Sequence, residues 1–241
     1  MTPTTSGAGG AELDAAALAR FDGDSCHFYL RRECAVFRKT SDPFGGLSNM
    51  AAGFPLNVDG IAIRTCEALY QACRFPHLPL VQQEIIAQAS PMAAKMKSKP
   101  HRAQSRSDFD ELRVPIMWWA LRVKLACNPS TFGRLLTSTS GLAIVEDSHK
   151  DTYWGAVPDR HDSTVLRGRN VLGRLLVLLR ELVDTVDADL WQTAPPPPVP
   201  GFRLLGPPIG TAGPRTAVAH SLRGKRIRTK AAPRDDDGQR Q

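Results

Sequence analysis

The sequence predicts an α+β fold: a single helix-dominated domain with a small β-sheet, set between flexible ends. Three observations lead there. Two long segments, near 110–127 and 169–183, repeat apolar residues at helical spacing, as an amphipathic helix against a core does. Short runs at 34–39, 61–65 and 142–146 read as strands. Composition changes at both ends, Thr/Gly/Ala-rich over 1–27 and Pro-rich from Thr193, giving boundaries of 1–27, 28–190 and 191–241.

In chain order, the strand at 34–39 comes first, and Asp59-Gly60 supplies the turn into the strand at 61–65. Thr65 suits the N-cap of a helix from Cys66 to Arg74, stopped by Pro76. A helix fits 80–89, and a short one follows Ser90-Pro91 with proline at its first position. The long helix spans 110–127 with Ile116, Trp119, Ala120, Val123 and Ala126 or Cys127 on one face. Pro115 belongs in its first turn or at a kink. The strand at 142–146 precedes a closing helix, 169–183, which turns Val171, Leu172, Leu175, Leu176, Leu178 and Leu179 inward.

Composition excludes several classes. No window approaches the roughly eighteen apolar residues of a membrane span, and residues 1–10 lack the basic flank and apolar stretch of a signal peptide. The five cysteines are odd in number, scattered and without a CxxC pair, and the six histidines show no HxxxH or HExxH spacing. A disulfide framework and a zinc site are therefore not expected; a metal-free, cofactor-free protein of the reducing cytoplasm is. The net charge of +7 is uneven: residues 191–241 hold nine Lys/Arg against three Asp. The pI of 9.4 therefore reflects the tail, which would add salt-sensitive affinity for nucleic acid, rather than the folded part.

Four segments are more polar or glycine-rich than a plain helical domain requires: Phe44-Gly45-Gly46-Leu47-Ser48-Asn49-Met50, residues 65–72, residues 142–155 and Gly168-Arg169-Asn170-Val171-Leu172-Gly173. Alone, each has an ordinary reading. Glu67 in a helix's first turn complements the dipole, Asn49 can cap a turn, and a lone Trp154 is more often core than stacking platform. Together they form a pattern. Leu47-Ser48-Asn49-Met50, Thr65-x-Glu67-x-x-x-Gln71-Ala72, Val145-Glu146 through Asp151 to Trp154-Gly155, and Gly168-x-Asn170-x-Leu172-Gly173 resemble, in order, the motifs of the NADAR (YbiA-like) family. Ser90-Pro91-Met92-x-Ala94 and Ala120-Leu121-Arg122-x-Lys124 resemble two further family segments, so the likeness runs over about 36–183. The chain departs from it at Ala68, where many members have histidine, and in a longer loop at 156–167.

The resemblance implies an N-glycosidase that hydrolyses the bond between ribose C1′ and a nitrogen base. Segments 70–76 and 94–97 are most similar to members that remove ADP-ribose from guanine, some of them antitoxins to DNA ADP-ribosyltransferases. The partner would be an ADP-ribosylated guanine nucleotide or DNA. The alternatives are a ribosylamino-pyrimidine phosphate of riboflavin biosynthesis and a module that binds ADP-ribose or NAD without hydrolysis. Under this likeness Glu67, Lys124 and Asp151 are the expected catalytic residues, and Ser48, Asn49, Gln71, Trp154, Gly155, Arg169 and Asn170 the expected substrate contacts. The chemistry suits these types. Breaking C1′–N builds oxocarbenium character that a carboxylate stabilises while activating water. Amides hold hydroxyls, rings stack on bases, and helix N-termini with Arg bind phosphate. A lysine of lowered pKa could instead capture C1′ as a Schiff base.

Overall fold

The computed structural model describes residues 18, 21 and 25–213. The architecture is α+β, with helices around three small sheets. β1 (His27–Leu30), β7 (Val165–Gly168) and β6 (Val157–Pro158) form an antiparallel sheet in the order β1-β7-β6. β2 (Cys34–Phe37) and β5 (Ala143–Glu146) pair in parallel, Phe37 opposite Glu146. β3 (Leu56–Val58) and β4 (Ile61–Ile63) make a hairpin whose Asp59 and Gly60 both take positive φ, 50° and 83°, the geometry that a two-residue primed turn demands.

The helices are α1 (Cys66–Ala72), α2 (Pro79–Ile86), α3 (Pro91–Ser98), α4 (Phe109–Cys127), α5 (Arg134–Thr137), α6 (Val171–Thr185) and α7 (Ala188–Trp191). Thr65 and Ser90 cap α1 and α3 as expected, their hydroxyls accepting from Ala68 N at 3.2 Å and Ala93 N at 3.1 Å. Pro115 lies inside α4. No helix among the described residues is long and apolar enough to cross a membrane.

Two expectations need correction. The stretch at 156–167 is not simply a loop: it folds back through β6 and β7 onto β1. Residues 191–213 are not a free tail. Ala194, Val199, Phe202, Leu204, Ile209 and Ala212 are buried in the core, so the domain runs past the boundary expected at 190. Proline-rich composition signals an extended backbone, yet the apolar residues between the prolines give that backbone a face to bury. The segment is stapled down by hydrogen bonds. The Trp119 indole donates to Ala194 O at 3.2 Å, the Gln82 amide donates to Arg203 O at 2.9 Å and accepts from Leu205 N at 2.7 Å, and Asp59 accepts from Gly210 N at 2.7 Å. This strap explains why α4 is buried all round from Ile116 to Ala126 rather than along one stripe. At the other end Leu18 and Phe21 pack against the core; the rest of 1–24 and the basic run beyond 213 lie outside the described residues.

α6 seats on β5 with unusual closeness. A Cβ at Gly173 would overlap the Ile144 carbonyl and the Asn170 amide, so only glycine fits there. Val171, Leu172, Leu175, Leu176 and Leu179 are buried and Leu178 half-buried, as its periodicity predicts.

Candidate active site

Three local structures converge: the loop after β2, the start of α1, and the end of β5 with the loop that follows it. Glu67 lies in the first turn of α1 and is 4% exposed. Its Oε2 accepts from Asn49 Nδ2 at 2.7 Å and its Oε1 from Gln71 Nε2 at 2.9 Å. Gln71, one turn further along α1, in turn accepts from Ser98 Oγ of α3 at 2.8 Å. A carboxyl group gripped by two amides is held in one orientation. Asn49 Oδ1 is buried without a hydrogen-bond partner, an acceptor open to a ligand hydroxyl.

Lys124 is fully buried behind this loop. Its Nζ donates to Gly46 O at 2.7 Å and Ser48 O at 3.0 Å and lies 4.6 Å and 4.3 Å from the ring centroids of Phe54 and Phe132. Burial lowers its pKa to about 8. The lowered pKa fits the amine expected of a Schiff-base lysine, but its placement does not: the group is enclosed by the carbonyls it holds. Ser48 is similarly occupied, its Oγ accepting from Met50 N at 3.1 Å.

Beyond Glu67 stands a wall of rings and guanidiniums. Trp154 meets Tyr70 edge-on at 5.8 Å and Tyr153 at 5.1 Å, and Tyr70 lies 5.9 Å from Phe109. Arg74 stacks on Phe109 at 3.8 Å; Arg113 and Arg169 stack on Tyr153 at 3.8 Å and 4.7 Å. Burial pushes the Tyr70 hydroxyl pKa well up, and Arg74, Arg113 and Glu67 all act on it, so the wall adjoins the carboxylate.

The remaining expected residues are near but differently employed. Asp151 is exposed, and its Oδ1 caps the turn by accepting from Tyr153 N and Trp154 N, each at 2.9 Å. Gly155 lies where a Cβ would strike Glu146 O. Asn170 is fully buried with φ 47°; its amide donates to Ile144 O at 2.8 Å and accepts from Glu146 N at 3.2 Å. The N–H groups around the start of α6, expected to meet phosphate, are already taken: Arg169, Asn170, Val171 and Leu172 donate to the carbonyls of Thr152, Gly155, Tyr153 and Trp154. The Asn170 amide and the N–H groups at the start of α6 are thus engaged within the fold. A separate cavity of about 490 Å³, lined by His27, Tyr29, Leu142 and Arg174, shares only Asn170 with the expected set.

One residue was missing from the expected set. Glu146 ends β5 half-buried, and its pKa is raised to about 7 by burial first, then by Asp151 and Glu67, with Lys95 opposing. Its place in the Val145-Glu146 motif was the signal that could have found it.

One region of the fold thus brings together a fixed carboxyl group, a second carboxyl group in a less polar setting, and a wall of rings and cations. The NADAR domain family model matches residues 36–184, the stretch containing every one of these groups. The chain belongs to the NADAR family. Its NADAR domain is similar to N-glycosidase YbiA of Escherichia coli, 34% identical over 145 residues that cover 60% of this chain and 85% of the relative. It is also 32% identical to a riboflavin biosynthesis protein of Vibrio vulnificus (52% of this chain, 32% of the relative) and to the chloroplastic riboflavin biosynthesis protein PYRR of Zea mays (63% and 26%). The NMR structure of E. coli YbiA superposes with a TM-score of 0.53 at 32% identity, covering 65% of this chain and 88% of that one. This NADAR chain is an N-glycosidase.

Proposed function

We propose that the enzyme removes ADP-ribose from guanine in a nucleotide or in DNA by hydrolysing the C1′–N bond. The observation that carries this reading is Glu67, clamped by Asn49 and Gln71 beside the Tyr70–Trp154–Arg74–Arg113 wall. Glu67 faces C1′, stabilises its developing positive charge and takes a proton from the attacking water. Asn49 Oδ1 accepts from a ribose hydroxyl. The wall stacks the base and sets guanidiniums against the two phosphates of ADP-ribose, more positive charge than a single phosphate needs. Lys124 holds the 46–48 loop, and through it Asn49, so water rather than lysine attacks. A toxin that attaches ADP-ribose to guanine is the expected functional partner.

A second reading has its own support, since two relatives are named for riboflavin biosynthesis. It makes the substrate a ribosylamino-pyrimidine phosphate, with the same bond broken. Purified enzyme should be offered an oligonucleotide bearing ADP-ribosylated guanine and the pyrimidine phosphate side by side. Faster turnover of the oligonucleotide is expected; preference for the pyrimidine would reverse the assignment. Glu67→Gln should lower either rate by about two orders of magnitude at unchanged melting temperature. A near-wild-type rate would take Glu67 out of the mechanism.

A further inference from the structure

The end of β5 carries a carboxyl group that nothing in the fold employs. Glu146 forms no hydrogen bond or ion pair through its side chain among the described residues, although it is half-buried. Its backbone, by contrast, is held on three sides. Its N–H donates to Asn170 Oδ1, its carbonyl accepts from Ala156 N at 2.8 Å, and β2 pairs alongside at Phe37. Gly155 presses so closely on that carbonyl that no side chain fits between them. The fold thus fixes the position of a carboxyl group while giving the group itself no partner.

The charges facing it come from three elements: Glu67 of α1, Asp151 of the following loop and Lys95 of α3. The two elements packed directly against β5 present uncharged Phe37 and Asn170 there. Glu67 and Glu146 therefore stand in one site with opposite surroundings. Glu67 accepts an N–H on each oxygen. Glu146 has no donor, is half-buried, and faces two like charges against one cation, all of which favour the neutral acid and raise its pKa to about 7.

We propose that Glu146 is the general acid of the reaction, placing its proton on the leaving nitrogen as the C1′–N bond breaks. This rests on the N-glycosidase reading above. The Glu146 O–H proton passes to the nitrogen, which keeps the electron pair of the broken bond and departs as a neutral base. C1′ becomes oxocarbenium-like opposite Glu67. Water adds to C1′ and loses a proton to Glu67, which releases it to solvent while solvent reprotonates Glu146. The net change is one water consumed, one N–H and one ribose O–H formed. Without the acid, the base would have to leave as an anion.

The test is kcat/KM against pH for wild type and Glu146→Gln, on whichever of the two substrates above is turned over. Glu146 acts protonated, so wild-type kcat/KM should hold below about pH 7 and fall tenfold per pH unit above it. Glu146→Gln should run about a hundredfold lower at pH 6 and lack that break. A near-wild-type rate in the variant, or the same break persisting in it, overturns the proposal. Should Glu146→Gln fail to fold, carbon-13 titration of glutamate carboxyl groups in wild type decides instead. A midpoint near 7 for Glu146 is expected, and one near 4.5 overturns the proposal. Loss of turnover in Glu67→Gln with none in Glu146→Gln would sink this inference alone, whereas no loss in either would sink the underlying reading.

Discussion

Lys124 illustrates how residue type and residue role part company. A lysine with a pKa near 8 is what covalent capture of C1′ calls for, and the likeness to the family points to this position. The amine is nonetheless committed to Gly46 O and Ser48 O between two aromatic rings. Removing it leaves two buried carbonyls unsatisfied and a cavity beside Phe132, so Lys124→Ala should cost roughly 2–4 kcal/mol of stability. Activity should fall with it, because Asn49 loses its support. Borohydride added to wild type during turnover should trap no ribosyl adduct. Mass spectrometry showing an adduct on Lys124 would restore the covalent route.

At the scale of elements, the contact of α6 with β5 sets the geometry of the second carboxyl group. Asn170 bonds both Ile144 O and Glu146 N, and the 152–155 carbonyls close the first turn of α6. Gly173 lets the helix approach until its backbone touches Ile144. Gly173→Ala must push α6 away from β5, with an expected loss of about 1–3 kcal/mol from overpacking. Because β5 carries Glu146, kcat should drop more than this loss of stability explains. Thermal melts beside steady-state rates would check both, and a variant as stable and active as wild type would show that the contact is loose.

For the molecule as a whole, the strap at 194–213 is the part whose removal should matter most. The buried strap makes 194–213 part of the domain rather than a dispensable tether. Stripping Val199, Phe202, Leu204 and Ile209 from the core forfeits on the order of 5 kcal/mol or more, a large share of what a domain of this size possesses. It also bares Trp119 and α4, the helix that carries Lys124. A chain ending at 213 should melt like the full-length protein, whereas one ending at 193 should be strongly destabilised or fail to express in soluble form. Equal melting temperatures would return the strap to the status of a tail.

Local signals in the sequence determined most of the elements. Thr65 and Ser90 are caps that act on their own first turns, Asp59-Gly60 is a turn by backbone preference, and the periodicity of 171–179 names its own buried face. The motif order likewise picked out Asn49, Glu67 and Gln71, which the fold joins through hydrogen bonds 18 and 4 residues apart in sequence. Tertiary structure alone decided what each remaining polar residue touches. Whether Lys124 meets ligand or loop, Asn170 lines or builds, and Glu146 is solvated or stranded depends on what lies opposite. That is a matter of contacts over tens of residues, which propensity and spacing do not encode. The strap was hidden for a related reason: its prolines announce extended backbone, but only packing against α4 tells whether extended backbone is free or buried.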